Sequence, residues 1–184
     1  KIFKAKDFEV ILAQTGGAAL AYIERQPMSV VLIDLKLGDM SGLDVLRGVK
    51  AFSPDSECIL LTGNASQASA IQAIQMGAFG YIQKPFEVDQ IVLSVQRAAD
   101  KYHSTLALRE SEEKYRRLFD RASLGIFQST PQGKVISVNP AFARMFGYDS
   151  IEDAVQSIRN VATDLFVDPN RRAEIIRMME ENPG

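Results

Sequence analysis

Apolar and polar positions along the first half of the chain change period repeatedly. "FEVILA" (8–13), "VVLID" (30–34), "CILLT" (58–62) and "FGYIQ" (79–83) are short β-branched or apolar runs that predict strands. "VVLID" is apolar until its last residue, as in a strand covered on both faces. Between the runs lie helical patterns. "GGAALAYIERQ" places Leu20 and Ile23 on one face, and Ser41 opens a helix carrying Leu43, Leu46 and Val49. "SQASAIQAIQMGA" (66–78) is read with Ile71 and Ile74 turned inward and Gly77 as its stop. Strands alternating with helices predict a parallel sheet with helices on both faces.

From Val88 the period changes. Val88, Val92, Val95, Ala99, Tyr102 and Leu106 recur at spacings of 4, 3, 4, 3 and 4, a coiled-coil seam. The register then slips, and the apolar stripe resumes at Leu108, Tyr115, Phe119 and Ala122. Two readings stand: the amphipathic last helix of the first domain, or a dimerising signal helix, which is the one favoured. Beyond it, "GIFQST" (125–130) and "KVISVN" (134–139) predict two strands joined by a "PQG" turn. Helices are expected over "PAFARMFGY", "SIEDAVQSI" and 168–182, the last with Asp168 as cap and Pro169 in its first turn. The expected domains are 1–101, a helical linker over 102–118, and 119–184.

Composition narrows the classes. Of 184 residues, 46% are hydrophobic, enough for a packed core. The net charge of −2 gives no basic footprint for nucleic acid. No apolar run approaches the ~20 residues of a membrane helix, and no signal peptide is visible, so a cytoplasmic protein is expected. The lone cysteine, Cys58, excludes an internal disulfide and reads as a small buried hydrophobe. A chain opening at Lys1 and stopping at "EENPG" reads as a piece of a longer protein.

Three polar residues stand at the carboxyl ends of three expected strands: Asp34, Thr62 and Lys84. That rim is where ligands bind an open parallel sheet. Each residue alone reads as a turn or surface group. Together they suit a phosphorylation site, in which the carboxylate attacks phosphorus while the hydroxyl and ammonium take phosphoryl oxygens. A divalent cation, normally magnesium, would bridge carboxylate and phosphate.

On "VVLIDLKLGDMSGLDVL", "ILLTGNAS" and "AIQAIQMGAFGYIQKPF", residues 8 to about 101 resemble the receiver domain of bacterial response regulators. The resemblance implies a flavodoxin-like fold with strand order 2-1-3-4-5. It makes Asp34 the phosphoacceptor, Thr62 the switch hydroxyl beside Gly63, and Lys84 the phosphate-pairing lysine. Tyr81 is implied as the aromatic switch, Lys84-Pro85 as a cis bond, and the Lys36 backbone carbonyl as a Mg2+ ligand with Asp34. Gly38 replaces the family's common proline. The family's first strand, with its acidic metal-holding pair, is absent: "KIFKAK" reads as the end of the first helix. That strand is supplied upstream or by another chain, or the sheet rearranges; this chain alone is expected to phosphorylate poorly.

Residues from about 112 resemble a PAS sensory domain on "SEEKYRRLFDRASLGIFQST", "GKVISVNPAFARMFGYDS" and "VDPNRRAEII". Only its first two strands are present. No cofactor signature accompanies them, and Phe127, Phe142, Met145, Phe146 and Tyr148 are read as core. His103 is read as a surface histidine of the linker, not a kinase phosphosite. The expected partners are a histidine kinase or phosphotransfer protein and a second copy joined through the helix near Val88. The alternative is a degenerate receiver serving as an unphosphorylated dimerisation or docking scaffold. A haloacid-dehalogenase-type phosphatase is disfavoured because Lys36 stands where its second acid would be.

Overall fold

The structure, a computed structural model, describes residue 3, residues 8–63 and residues 67–181. The chain divides into two compact units, Lys1–Arg109 and Glu110–Gly184.

In the first unit the helices α1 (Gly16–Ile23), α2 (Gly42–Phe52) and α3 (Gln67–Gln75) alternate with the strands β1 (Val30–Asp34), β2 (Glu57–Thr62) and β3 (Gly80–Gln83). α4 (Val88–Arg121) follows. The strands form one parallel sheet in the order β1-β2-β3, with Asp34 opposite Leu61 and Thr62 opposite Gln83. Strand side chains alternate between faces, and both faces are covered. Val31, Ile33, Cys58 and Leu60 pack with Ile23, Val45, Leu46 and Val49 of α1 and α2. Val30, Leu32, Ile59 and Leu61 pack with Ile91, Val95 and Ala98 of α4. Two covered faces explain why β1 and β2 read as unbroken apolar runs. Capping fixes the helix starts: Thr15 Oγ1 accepts from the Ala18 N–H, and Ser41 Oγ from the Leu43 N–H. Gly77, at φ 84°, ends the α3 segment in the left-handed conformation.

Three expectations are corrected here. "FEVILA" forms no strand; Leu12 is 85% exposed. Its composition is right for β structure, but a strand needs a ladder partner, and none of the described strands lies beside it. A cavity of about 380 Å³ separates this segment from β1, lined by Phe8, Val10, Val30, Leu32 and Val95 among others. β1 bonds to β2 through the Ser29 carbonyl and the Leu35 N–H. In a parallel ladder Val30, Leu32 and Asp34 therefore turn their backbone groups toward that cavity. Second, Ile71 and Ile74 are 50% and 55% exposed, whereas Ala73 of α3 is buried. Third, Val92, Val95 and Ala99 are buried, with Val95 packed on the sheet. The seam's first half is therefore spent inside its own unit. Burial against a sheet and against a partner helix produce the same sequence period.

In the second unit β4 (Phe127–Ser129) and β5 (Val135–Val138) pair antiparallel, with a bulge between Gln128 and Ser129. Gly133, at φ 94°, closes the turn between them. Four short elements follow: α5 (Pro140–Phe146), α6 (Ile151–Ser157), α7 (Val161–Asp164), which the sequence did not indicate, and α8 (Pro169–Glu181). Phe142 sits in the core with Val135, Val138, Ala154, Ile158 and Val161, and Phe127 and Tyr148 pack against it. Met145 and Phe146 are instead largely exposed, correcting their assignment to the core.

Candidate functional site: an acid and a lysine at one rim of the sheet

Asp34 is the last residue of β1, Thr62 the last of β2, and Lys84 follows β3 directly. A parallel sheet puts these carboxyl ends on one edge. Asp34 Oδ2 pairs with Lys84 Nζ across fifty residues of sequence. Asp34 Oδ1 accepts from the Lys36 N–H at 3.1 Å. The Lys84 N–H donates to the Thr62 carbonyl at 2.6 Å, so the backbone that carries the lysine is fastened to the end of β2. Lys84-Pro85 is cis.

Partial burial opposes ionisation of Asp34. The hydrogen bond from Lys84, the Lys36 N–H and the Lys84 charge outweigh it, and the carboxyl lies below its ordinary range. A carboxylate ionised at neutral pH, partly exposed and facing a cation, is a nucleophile with a counter-charge ready for an incoming anion.

Of the other expected site residues, the Thr62 side chain is buried at the end of β2 and Gly63 is exposed beside it. Tyr81 is partly buried against the α1/α2 core, and its hydroxyl lies 3.2 Å from Ser69 Oγ of α3. Lys36 bonds to the acid through its backbone, not its side chain.

Sequence reasoning missed two residues of this rim. A Cβ on Gly42 would run into the Asp34 carbonyl oxygen, so only glycine lets α2 start this close to the acid. Asp39, five residues past Asp34, bonds to the start of α1. The "SGLD" and "GG" glycines were the available signals.

The donors for a metal are few. Among the described residues no group of three or more His, Cys, Asp or Glu side chains could hold a metal ion. Both Asp34 oxygens are already engaged. Magnesium takes near-octahedral oxygen coordination, keeping several waters and binding through one or two carboxylates plus substrate phosphate; of the described residues, Asp34 and the Lys36 backbone carbonyl would be the donors on the protein side.

Residues 1–96 match the response regulator receiver domain family. The chain belongs to that family. Residues 113–179 match the PAS domain family, so a receiver is followed by a PAS domain. The acid tolerance regulatory protein ActR of Sinorhizobium medicae (strain WSM419) is 33% identical over 102 residues, 55% of this chain and 53% of ActR. The receiver's fold matches a CheY-like receiver domain protein from Methanospirillum hungatei JF-1, with 30% identity and a TM-score of 0.55 over 56% of this chain and 83% of that one. It also matches the beryllofluoride-activated NtrC4 receiver domain dimer, with 30% identity and a TM-score of 0.53 over 55% and 84%. The chain spans about half of ActR's length, and the receiver and PAS modules it holds are regulatory signalling modules. No described helix is long and apolar enough to cross a membrane.

Proposed function

We propose that this receiver takes a phosphoryl group on Asp34 from a histidine kinase or phosphotransfer protein in the cytoplasm and relays the change along α4 to the PAS domain. The observation that carries the reading is the Lys84 ammonium on Asp34 Oδ2 at the carboxyl edge of the sheet. A carboxylate oxygen attacks phosphorus; the phosphorus–nitrogen bond of the donor phosphohistidine breaks, and the imidazole leaves with its electron pair. Lys84 then moves from the carboxylate to a phosphoryl oxygen. The new group brings a charge of about −1.5 to −2. In this reading the Thr62 hydroxyl turns toward that charge beside Gly63, and Tyr81 exchanges its contact with Ser69 for an inward position. A second copy would join through the exposed part of α4, where Leu108, Tyr115 and Leu118 lie on the surface.

Incubation of the full-length native protein with acetyl phosphate and Mg2+, read by intact mass, tests this. One phosphoryl adduct in the wild type, absent in Asp34→Asn, is expected; no adduct in either overturns the reading.

The alternative reading is a docking or dimerisation scaffold that is never phosphorylated. A scaffold would dimerise equally well as wild type and as Asp34→Asn, whatever the phosphoryl donor.

A further inference from the structure

The stretch after Asp34 is a closed loop fastened at base and tip. At the base Lys36 and Ser41 form an antiparallel bridge, and the Gly42 N–H bonds to the Leu35 carbonyl at 3.1 Å. The tip reaches α1. Asp39 Oδ1 accepts from the Gly16 N–H at 3.0 Å, and Oδ2 from the Gly17 N–H at 2.9 Å. These amides open a helix and have no acceptor within it, so a carboxylate on both satisfies two donors and meets the positive end of the helix dipole. The Gly17 and Gly16 N–H groups hold the Asp39 carboxyl below its ordinary range. Met40 lies over Gly16, where a Cβ would come 2.7 Å from Met40 Sδ and from Val45 Cγ2, so only glycine permits the approach. A Cβ on Gly38, at the turn of the loop, would meet nothing within 4 Å. Asp39 and Met40 are thus the loop's attachments to α1.

We infer that Asp39 is a positioning residue for Asp34: it pins the loop to α1 in the geometry that lets the Lys36 N–H hold Asp34 Oδ1. The inference rests on the reading of Asp34 as the phosphoryl acceptor. Asp39 touches no reacting atom. With the tip released, the loop is held only at its base and by Met40, and the Lys36 N–H leaves the carboxylate for part of the time. The carboxylate then turns about its Cβ–Cγ bond, and fewer molecules present Oδ2 to Lys84 with Oδ1 fixed. Orientation of this kind is lost without loss of the fold.

Amide hydrogen exchange and phosphoryl transfer together test it, using the full-length native protein as wild type, Asp39→Ala, Asp39→Asn and Asp34→Asn. In Asp39→Ala the Lys36 amide should exchange about tenfold faster. Adduct formation from acetyl phosphate should slow about three- to tenfold, while the circular dichroism spectrum stays that of the wild type. Asp39→Asn, which keeps one acceptor oxygen, should fall between. Lys36 exchange in Asp39→Ala within about twofold of wild type overturns the inference, whether or not Asp34 accepts a phosphoryl group. Faster exchange with an unchanged adduct rate overturns it too, because the clasp then orders the loop without orienting the acid. No adduct in the wild type sinks the acceptor reading itself, and the exchange result then decides whether Asp39 holds Lys36 in place.

Discussion

Lys101 of α4 holds Glu57, a carboxylate buried at the start of β2, at 2.8 Å. The ammonium also lies 5.5 Å from the centre of the Phe79 ring. The other Glu57 oxygen, Oε2, is buried with no hydrogen-bond partner among the described residues. Nearby, Arg109 reaches Asp55 at 3.3 Å. Two acid–base pairs thus tie the middle of α4 to the amino-terminal edge of the sheet, opposite the rim that carries Asp34.

Removing Lys101 strands that buried charge. Lys101→Met should destabilise the first unit by about 1–3 kcal/mol, less than the ~3–5 kcal/mol of breaking a fully buried pair because the lysine itself is largely exposed. Glu57→Gln added to Lys101→Met should recover most of the loss. Urea unfolding of the two single variants and the double variant measures the coupling; additive losses would mean the pair contributes nothing.

Lys84→Met leaves Asp34 with its burial and the Lys36 N–H but without the cation. Burial is the largest influence on Asp34 and acts upward, so the carboxyl should titrate clearly higher in the variant than in the wild type. In the wild type the folded pKa is depressed. Its contribution to stability is therefore present above the unfolded value of about 4 and is lost as pH falls through the folded value. The variant should lose less stability than the wild type over that acid window. Carboxyl NMR titration and acid unfolding check both, and equal Asp34 midpoints in the two proteins would refute the assignment.

Asn139 is fully buried at the end of β5 and uses all of its bonding capacity. Its Oδ1 accepts from the Ile126 and Phe142 N–H groups, and its Nδ2 donates to the Phe119 and Leu124 carbonyls at 3.0 and 2.9 Å. Asn139→Ala should cost the second unit about 2–3 kcal/mol, since one buried and three part-buried backbone groups lose a partner. Asn139→Asp keeps the helix cap, at which Asp and Asn are equally good, but faces two carbonyls with a carboxylate. It should be destabilised nearly as much. Thermal unfolding that finds Asn139→Asp as stable as wild type would show that only the cap matters.

Cys58 is fully buried in β2, and burial pushes its thiol up to about 12. Thiolate is the reactive form. Alkylation by iodoacetamide near pH 8 should run roughly a hundredfold slower in the folded chain than in denaturant. Mass spectrometry of the time course decides it; equal rates would mean the strand opens freely.

Much of the receiver was legible because its signals are local. Three apolar runs ending in Asp34, Thr62 and Lys84-Pro85 marked three strands and the rim they share. Ser41 and Gly77 marked a helix start and a stop, and both act as expected. The errors have one origin. "FEVILA" carries strand composition, Ile71 and Ile74 carry helix-face spacing, and Val92, Val95 and Ala99 carry a seam period. What each of these segments packs against is not written in its own residues. The sheet leaves the first without a neighbour, α3 buries Ala73 instead of its isoleucines, and the seam meets the sheet before it can meet another helix. The clasp of Asp39 on Gly16 and Gly17 was hidden for the same reason, since it joins positions 23 and 22 residues apart.

The sequence alone determined the alternation of strand and helix in the first unit, the long helix after it, and the identity of the acid and the lysine. Periodicity and chain-end chemistry act over a few residues and can be read in a few residues. Tertiary structure decided which apolar faces are buried, that Lys84 meets Asp34, and that a glycine pair receives Asp39. Those outcomes depend on contacts between segments distant in the chain, where packing and charge pairing, not local preference, set the free energy.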